Sequence, residues 1–216
     1  MREVLARMAA DAAGLAAGNG WARSDDEVLA GLAEVHRLEQ RLAAVRLGLV
    51  RELDGRDLGS KRGAAGAVGW LSERLHVSIP TARRWVRLGN DLDGPPLAAA
   101  AAALAAGAVT VEQAQVIAAA VRDRPAEAGP DIASQAVDAL VDAAGQFDPG
   151  PLRRLAGRIL AHVAPDVAER ADRAALAAEQ KRARLRRGFT LTGDGAGGVY
   201  LRGRLDAEAA AVVTAA

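Results

Sequence analysis

The spacing of apolar residues predicts a chain built mainly from helices. Ser24 and Glu27 match a capping box, in which a serine caps the helix and the glutamate three residues later bonds back to it. They open a long helix that runs through Leu53, with an apolar stripe at three- and four-residue spacing from Leu29 to Leu49. Further helices follow from the same reasoning, within 1–20 and at about 64–75, 78–91, 97–106, 110–121, 131–146, 151–163 and 165–187.

The periodicity changes near the carboxyl end of the chain. Phe189 and Leu191, then Val199 and Leu201, alternate with polar or small residues around the glycine-rich segment 193–198. This pattern predicts a β-hairpin. The predicted fold class is therefore mainly α, a multi-helix domain with a helix-turn-helix-like unit and a C-terminal β-hairpin.

The predicted elements divide the chain into three parts. They are N-terminal helices at 1–55, a helical domain at 56–187 that contains the helix-turn-helix-like unit at 64–91, and the hairpin with the start of a final helix at 188–216.

The most informative segment is WLSERLHVSIPTARRWVRLG, residues 70–89. On a helical wheel, the apolar residues of its second helix fall within a stripe of about 120°. The residues outside this stripe that could face a DNA major groove are Thr81, Arg83, Arg84 and Arg87. The planar arginine fork can pair there with guanine edges and phosphate oxygens. The turn position is His76, where helix-turn-helix units usually carry glycine.

Charge along the chain adds candidates for contacts with the DNA backbone. Two basic blocks, 56–90 and 151–188, flank an acidic block, 91–150. Such a field can dock an anionic polymer, although the blocks can also neutralise each other within the fold. The candidate phosphate contacts are Lys61, Arg62, Arg153, Arg154, Arg182, Arg184, Arg186 and Arg187.

The amino-acid composition excludes several kinds of functional site. The chain has no cysteine, which excludes disulfides, thiolate metal sites and cysteine nucleophiles. Asp166 with Glu179 and Lys181 loosely matches a nuclease pattern whose residues normally lie on adjacent strands, but here the two carboxylates are predicted on helical segments ~20 Å apart. The pair Asp138 and Asp142 is typical of a solvated helix face, so we predict neither a metal site nor a cofactor. No apolar run is long enough to span a membrane, and the first residues lack the apolar block of a signal peptide. We expect a cytoplasmic protein.

Five segments occur in an order that is typical of one family. They are RLAAVRLGLVRELDGRDLG, then WLSERLHVS with TARRWVRLGNDL, then LAAGAVTVEQAQVIAAAV, FDPGPLRRLAGRILAHVAPD and GVYLRGRLDAEAAAVV. Over nearly its full length the chain resembles the actinobacterial domain-of-unknown-function family 222. The resemblance implies a helical region that usually precedes an HNH endonuclease domain, in a mobile-element or DNA-processing context.

The nuclease site itself is missing from the sequence. HNH chemistry needs two histidines and usually an asparagine around one divalent metal. The chain has only three histidines and two asparagines, and no two of them lie close in sequence. No catalytic residue is therefore assigned.

Three functions remain open at this point. The first is a DNA-binding helical module associated with HNH endonucleases, with double-stranded DNA as its partner. The second is a helical interaction or oligomerisation scaffold, a homo-oligomer among others, that uses the helix 24–53 and the alanine-rich hairpin 97–121 without direct DNA contact. The third is an enzyme in its own right, but the sequence contains no catalytic motif that supports it.

Overall fold

The computed structural model describes residues 1–18, 23–124, 128–186, 188–205 and 207–215, without the side chains at 160, 171, 184 and 207–209. Within these ranges the chain forms eleven α-helices and one antiparallel β-hairpin, which confirms the predicted mainly-α fold with a C-terminal hairpin. None of the described helices combines the length and apolar character that crossing a bilayer requires.

The elements follow one another along the chain with short connections. The helices are α1 (Arg2–Ala17), α2 (Asp25–Gly55), α3 (Gly66–Leu75), α4 (Ile79–Asp91), α5 (Ala98–Ala106), α6 (Val111–Arg122), α7 (Pro130–Ala144), α8 (Pro149–Ala156), α9 (Ile159–Val163), α10 (Pro165–Leu185) and α11 (Ala207–Ala215). The strands are β1 (Gly188–Gly193) and β2 (Val199–Arg204). The chain divides into two compact units, Met1–Gln115 and Val116–Ala216.

The first unit is built around α2, which packs against α3, α4 and α5. The capping box that opens α2 is present: the Ser24 hydroxyl accepts the N–H of Glu27, and the Glu27 carboxylate accepts the N–H of Ser24 at 2.8 Å. Gln40 is buried in α2 with both ends of its amide bonded. Its carbonyl oxygen accepts the N–H of Val111 at 3.0 Å, so this residue ties the start of α6 to α2.

Small residues let the helices of this unit approach closely. A Cβ on Gly89 of α4 would lie 2.8 Å from the carbonyl oxygen of Leu47 in α2. Gly107 ends α5 with a positive φ of 75°, and a Cβ there would lie 2.8 Å from the carbonyl oxygen of Arg37. Alanine-rich α5 and glycine-containing α4 therefore pack on α2 at nearly backbone contact.

The apolar stripe that the sequence marks on α2 does not form this contact. Leu29, Leu32, Leu38 and Leu49 are all exposed. The buried side of α2 consists instead of Gln40, Ala43, Leu47, Val50 and Leu53. The physical reason is that Gly89 and Gly107 let α4 and α5 approach the α2 backbone at Leu47 and Arg37, and this close contact sets which side of α2 faces them.

The second unit is centred on α7, which packs against α8 and α9. The single helix predicted over 151–163 is divided in two, because α8 ends at Ala156 and α9 begins only at Ile159. Gly157, a weak helix former, lies at the break. The predicted hairpin is present, and the Asp194 carboxylate closes its loop by accepting the N–H groups of Ala196 and Gly198, each at 2.8 Å.

We expect Gly89→Ala to destabilise the first unit by about 1–3 kcal/mol, because its Cβ would force α4 away from α2. Urea unfolding followed by tryptophan fluorescence measures this. Gly48→Ala is the matched control, since Gly48 also lies in a helix but has open space around it. The control should be neutral or stabilising by up to about 1 kcal/mol. Equal stability of the two variants would contradict the close packing of α2 and α4.

Candidate nucleic-acid interface

The unit at α3 and α4 consists of two helices joined by the three-residue turn His76–Ser78. His76 adopts φ 53° and ψ 34°, the left-handed conformation for which glycine is the usual residue. The tight turn therefore forms without glycine. The next residue, Val77, packs against the apolar cluster that α2, α3 and α4 share.

A hydroxyl network opens α4. Ser78 caps the helix, because its hydroxyl oxygen accepts the N–H of Thr81 at 3.3 Å. The Ser78 hydroxyl in turn donates to the Thr81 hydroxyl at 2.9 Å, and Arg84 donates a guanidinium N–H to the same Thr81 oxygen at 3.0 Å. Thr81 thus orients Arg84 along the first turns of α4.

Three arginines of α4 lie on its exposed side: Arg83, Arg84 and Arg87. Among the described residues, none of the three forms an ion pair with a carboxylate. The other side of α4 is packed, with Ala82 and Leu88 only 0% and 2% exposed. The helix therefore presents three guanidinium groups to solvent from a rigidly seated face.

Several contacts beyond apolar packing hold α4 in this orientation. Asn90 donates its side-chain amide to the Asp54 carboxylate at 2.8 Å, which links the end of α4 to α2. The Arg46 guanidinium lies 4.3 Å above the centre of the Trp85 ring, a cation–π contact. Desolvation of the Arg46 guanidinium lowers the pKa of this group.

A groove lies between α2 and α3, with a volume of about 1080 Å³ and an apolar floor that includes Leu49, Leu53 and Trp70. Its rim carries four arginines and one glutamate: Arg46, Glu52, Arg56, Arg62 and Arg74. Hydrogen bonds from Arg51 and Arg56 hold the pKa of Glu52 below its ordinary value.

The two phosphate-contact candidates before α3 differ in position. Lys61 lies in a short 3-10 turn and donates its ammonium to the carbonyl oxygen of Arg56 at 2.8 Å, whereas Arg62 lies at the groove. Sequence reasoning missed the groove, because its lining comes from α2, α3 and the segment between them, so no single helix marks it.

The remaining arginine candidates belong to the second unit. Arg153 and Arg154 are exposed in the last turn of α8. Arg182 and Arg186, at the end of α10, line a small depression of about 340 Å³ together with Arg204 of β2, which the sequence did not single out. The side chain of Arg184 and the whole of Arg187 lie outside the described residues.

The acidic patterns do not come together as a metal site. Asp166 and Glu179 lie on the same helix, α10, about 20 Å apart along its axis. Over the part of the chain that the structure describes, no three histidine, aspartate or glutamate side chains are grouped closely enough to hold a metal ion.

Comparison with known proteins adds one match. A family model described as "Domain of unknown function (DUF222)" matches residues 29–216, which include most of α2 and every later element. No curated protein and no solved structure matches the chain.

We expect His76→Val to destabilise the first unit by about 1–2 kcal/mol, because a β-branched residue is strained in the left-handed conformation. His76→Gly should be equally stable or more stable by up to about 1 kcal/mol. Urea unfolding measures both, with His36→Val on exposed α2 as a control that should change stability by less than about 0.5 kcal/mol. A stable His76→Val variant would argue against this turn geometry.

Proposed function

The chain belongs to the DUF222 family, a domain of unknown function, and we propose that it is a helical DNA-binding module that presents α4 to duplex DNA. The observation that carries the proposal is the exposed group Arg83, Arg84 and Arg87, on a helix whose other side is packed. Three exposed guanidinium groups without carboxylate partners among the described residues are suited to a polyanion.

The arrangement of α3 and α4 supports a major-groove contact. The major groove of B-DNA is about 12 Å wide and admits an α-helix. In helix-turn-helix units, the N-terminal residues of the second helix contact base edges. Thr81, Arg83 and Arg84 occupy the first half of α4, and the preceding turn is short. Guanidinium forks can then pair with guanine O6 and N7 or with phosphate oxygens.

Backbone contacts would add affinity without sequence preference. Lys61 before α3 is a candidate within the first unit, as is Arg62. The second unit offers the exposed Arg153, Arg154, Arg182 and Arg186, together with Arg204. In the same proposal, the module works in the cytoplasm and brings a nuclease domain of the HNH class to DNA, in a mobile-element or DNA-processing context.

Duplex binding should be strongly salt-dependent. With roughly five phosphates neutralised, the slope of log affinity against log salt should be near −4 to −5. Fluorescence anisotropy with labelled duplex DNA, measured across a salt series, checks this. No binding at low salt would eliminate the proposal.

The triple variant Arg83→Ala, Arg84→Ala, Arg87→Ala should reduce that slope by about 2 to 3 and weaken binding at least tenfold, because about three phosphate or base contacts are lost. A control with the same change in net charge replaces the exposed Arg2, Arg7 and Arg170 by alanine. An equal loss of affinity in the control would show that overall charge, and not α4, drives binding.

Replacing the same three arginines by lysine separates charge from base reading. The lysine variant should retain most of the salt slope but lose about 1–3 kcal/mol of preference for a duplex selected from a random pool, since lysine lacks the bidentate fork. Anisotropy with selected and scrambled duplexes measures the difference. An unchanged preference would contradict base contacts by these arginines.

A further inference from the structure

The N-terminal half of α2 projects beyond the body of the first unit. The helix has 31 residues, or about 46 Å of length, yet every residue from Asp25 to Glu39 is exposed, and its first buried residue is Gln40. Leu29 and Leu32 are 67% and 68% exposed. No other described element of the first unit covers this apolar surface.

The apolar residues of α2 form a heptad pattern on its exposed side, interrupted at one d position by Gly31. A stripe at a and d positions comprises Val28, Val35, Leu38, Leu42, Val45 and Leu49. Each of these side chains is between 38% and 50% exposed. On the helical wheel this stripe lies opposite the buried Gln40 and Leu47, so it is a second apolar face and not an edge of the core. Repeats of this kind pair with another helix by knobs-into-holes packing.

The two ends of the exposed side of α2 are complementary in charge. The first turn of α2 is acidic, with Asp25, Asp26 and Glu27 beside the exposed leucines. Near the other end lies the groove between α2 and α3, which combines an apolar floor with four arginines and a single glutamate. An acidic, apolar helix end is the kind of ligand that this groove fits, and each copy of the chain carries one.

We propose that two copies of this chain associate through their α2 helices, packed antiparallel about a two-fold axis that passes between Leu38 and Leu42. Leu38 then packs against the partner's Leu42, and Val35 against the partner's Val45. The acidic end of each α2 reaches the groove of the other copy. The interface is isologous, because the same surface serves both copies.

The flanking charges disfavour a parallel pair, and the acidic first turn of α2 can reach the arginine-rimmed groove only in an antiparallel one. In a parallel pair, Glu34 would lie beside the partner's Glu39, and Arg41 beside the partner's Arg46, so both contacts would be repulsive. In the antiparallel pair, Glu39 and the partner's Arg46 lie on the same flank of the contact, offset along the axis by about five residues, or about 7.5 Å. Leu32 has the same relation to the partner's Leu53, which lines the groove.

The exposed stripe supplies a substantial part of the area that a stable dimer buries. The six stripe residues together with Leu32 offer on the order of 200–400 Å² of apolar area per copy, given their exposed fractions. Homodimer interfaces are about 65% apolar. A standard interface buries roughly 800 Å² per partner, and in the proposed dimer the groove and the charged flanks supply the remainder.

This association does not depend on DNA binding, because the stripe on α2 and the exposed arginines on α4 are separate surfaces. Light scattering of the full chain should give twice the chain mass of 22.2 kDa. The double variant Leu38→Glu, Leu42→Glu should weaken self-association at least about 100-fold while circular dichroism stays unchanged, since both residues are exposed.

Two controls should remain dimeric: Leu15→Glu, at an exposed leucine outside α2, and the alanine triple variant of α4. A monomeric wild-type chain, a dimeric Leu38→Glu, Leu42→Glu variant, or a monomeric Leu15→Glu variant would each overturn the proposal.

Cysteine pairing tests the register without disturbing the fold. The chain has no cysteine, so Val35→Cys and Val45→Cys introduce the only thiols. Mild oxidation of an equal mixture of the two variants should give disulfide-linked dimers, and either variant alone should not. Cross-linking of Val35→Cys with itself, or no cross-linking in the mixture, would overturn the antiparallel register.

Discussion

The first unit depends on the close approach of α4 to α2. At Gly89 the two backbones come so near that a Cβ would lie 2.8 Å from the carbonyl oxygen of Leu47. Only glycine permits this distance, and fully buried Ala82 extends the packed side of α4 two turns earlier, into the apolar cluster. Because the contact fixes the rotation of α4 about its axis, it also decides which side chains face solvent. The exposure of Arg83, Arg84 and Arg87 is a consequence of this packing.

The same contact separates two sides of α2. The buried side consists of Gln40, Ala43, Leu47, Val50 and Leu53, and Gln40 satisfies both ends of its amide there. The other side carries further leucines and valines that remain exposed. Gly89 and Gly107 lie so close to the carbonyl oxygens of Leu47 and Arg37 that neither position has room for a side chain, so these two crossings fix the side of α2 that faces α4 and α5.

The candidate DNA surface was largely predictable from the sequence because it is local. Arg83, Arg84 and Arg87 lie within five consecutive residues, and helical periodicity alone sets them opposite Ala82 and Gly89. The Ser78 cap is local for the same reason. Two features were not predictable: the use of Thr81 as an acceptor for both Ser78 and Arg84, and the meeting of Arg204 with Arg182 and Arg186. The first depends on rotamers, and the second joins β2 to the end of α10.

By itself the sequence determined where most helices begin and end, that a hairpin follows them, and which arginines share a side of α4. Caps such as Ser24 with Glu27, left-handed glycines and apolar periodicity act between residues only a few positions apart, so one stretch of chain contains all the information. Only the tertiary structure decided which face of α2 is buried, and that α2 and α3 enclose a basic groove. These outcomes depend on how closely segments that are far apart in the sequence can approach each other. The volume of the side chains between two segments controls that distance, and the order of residues along the chain does not.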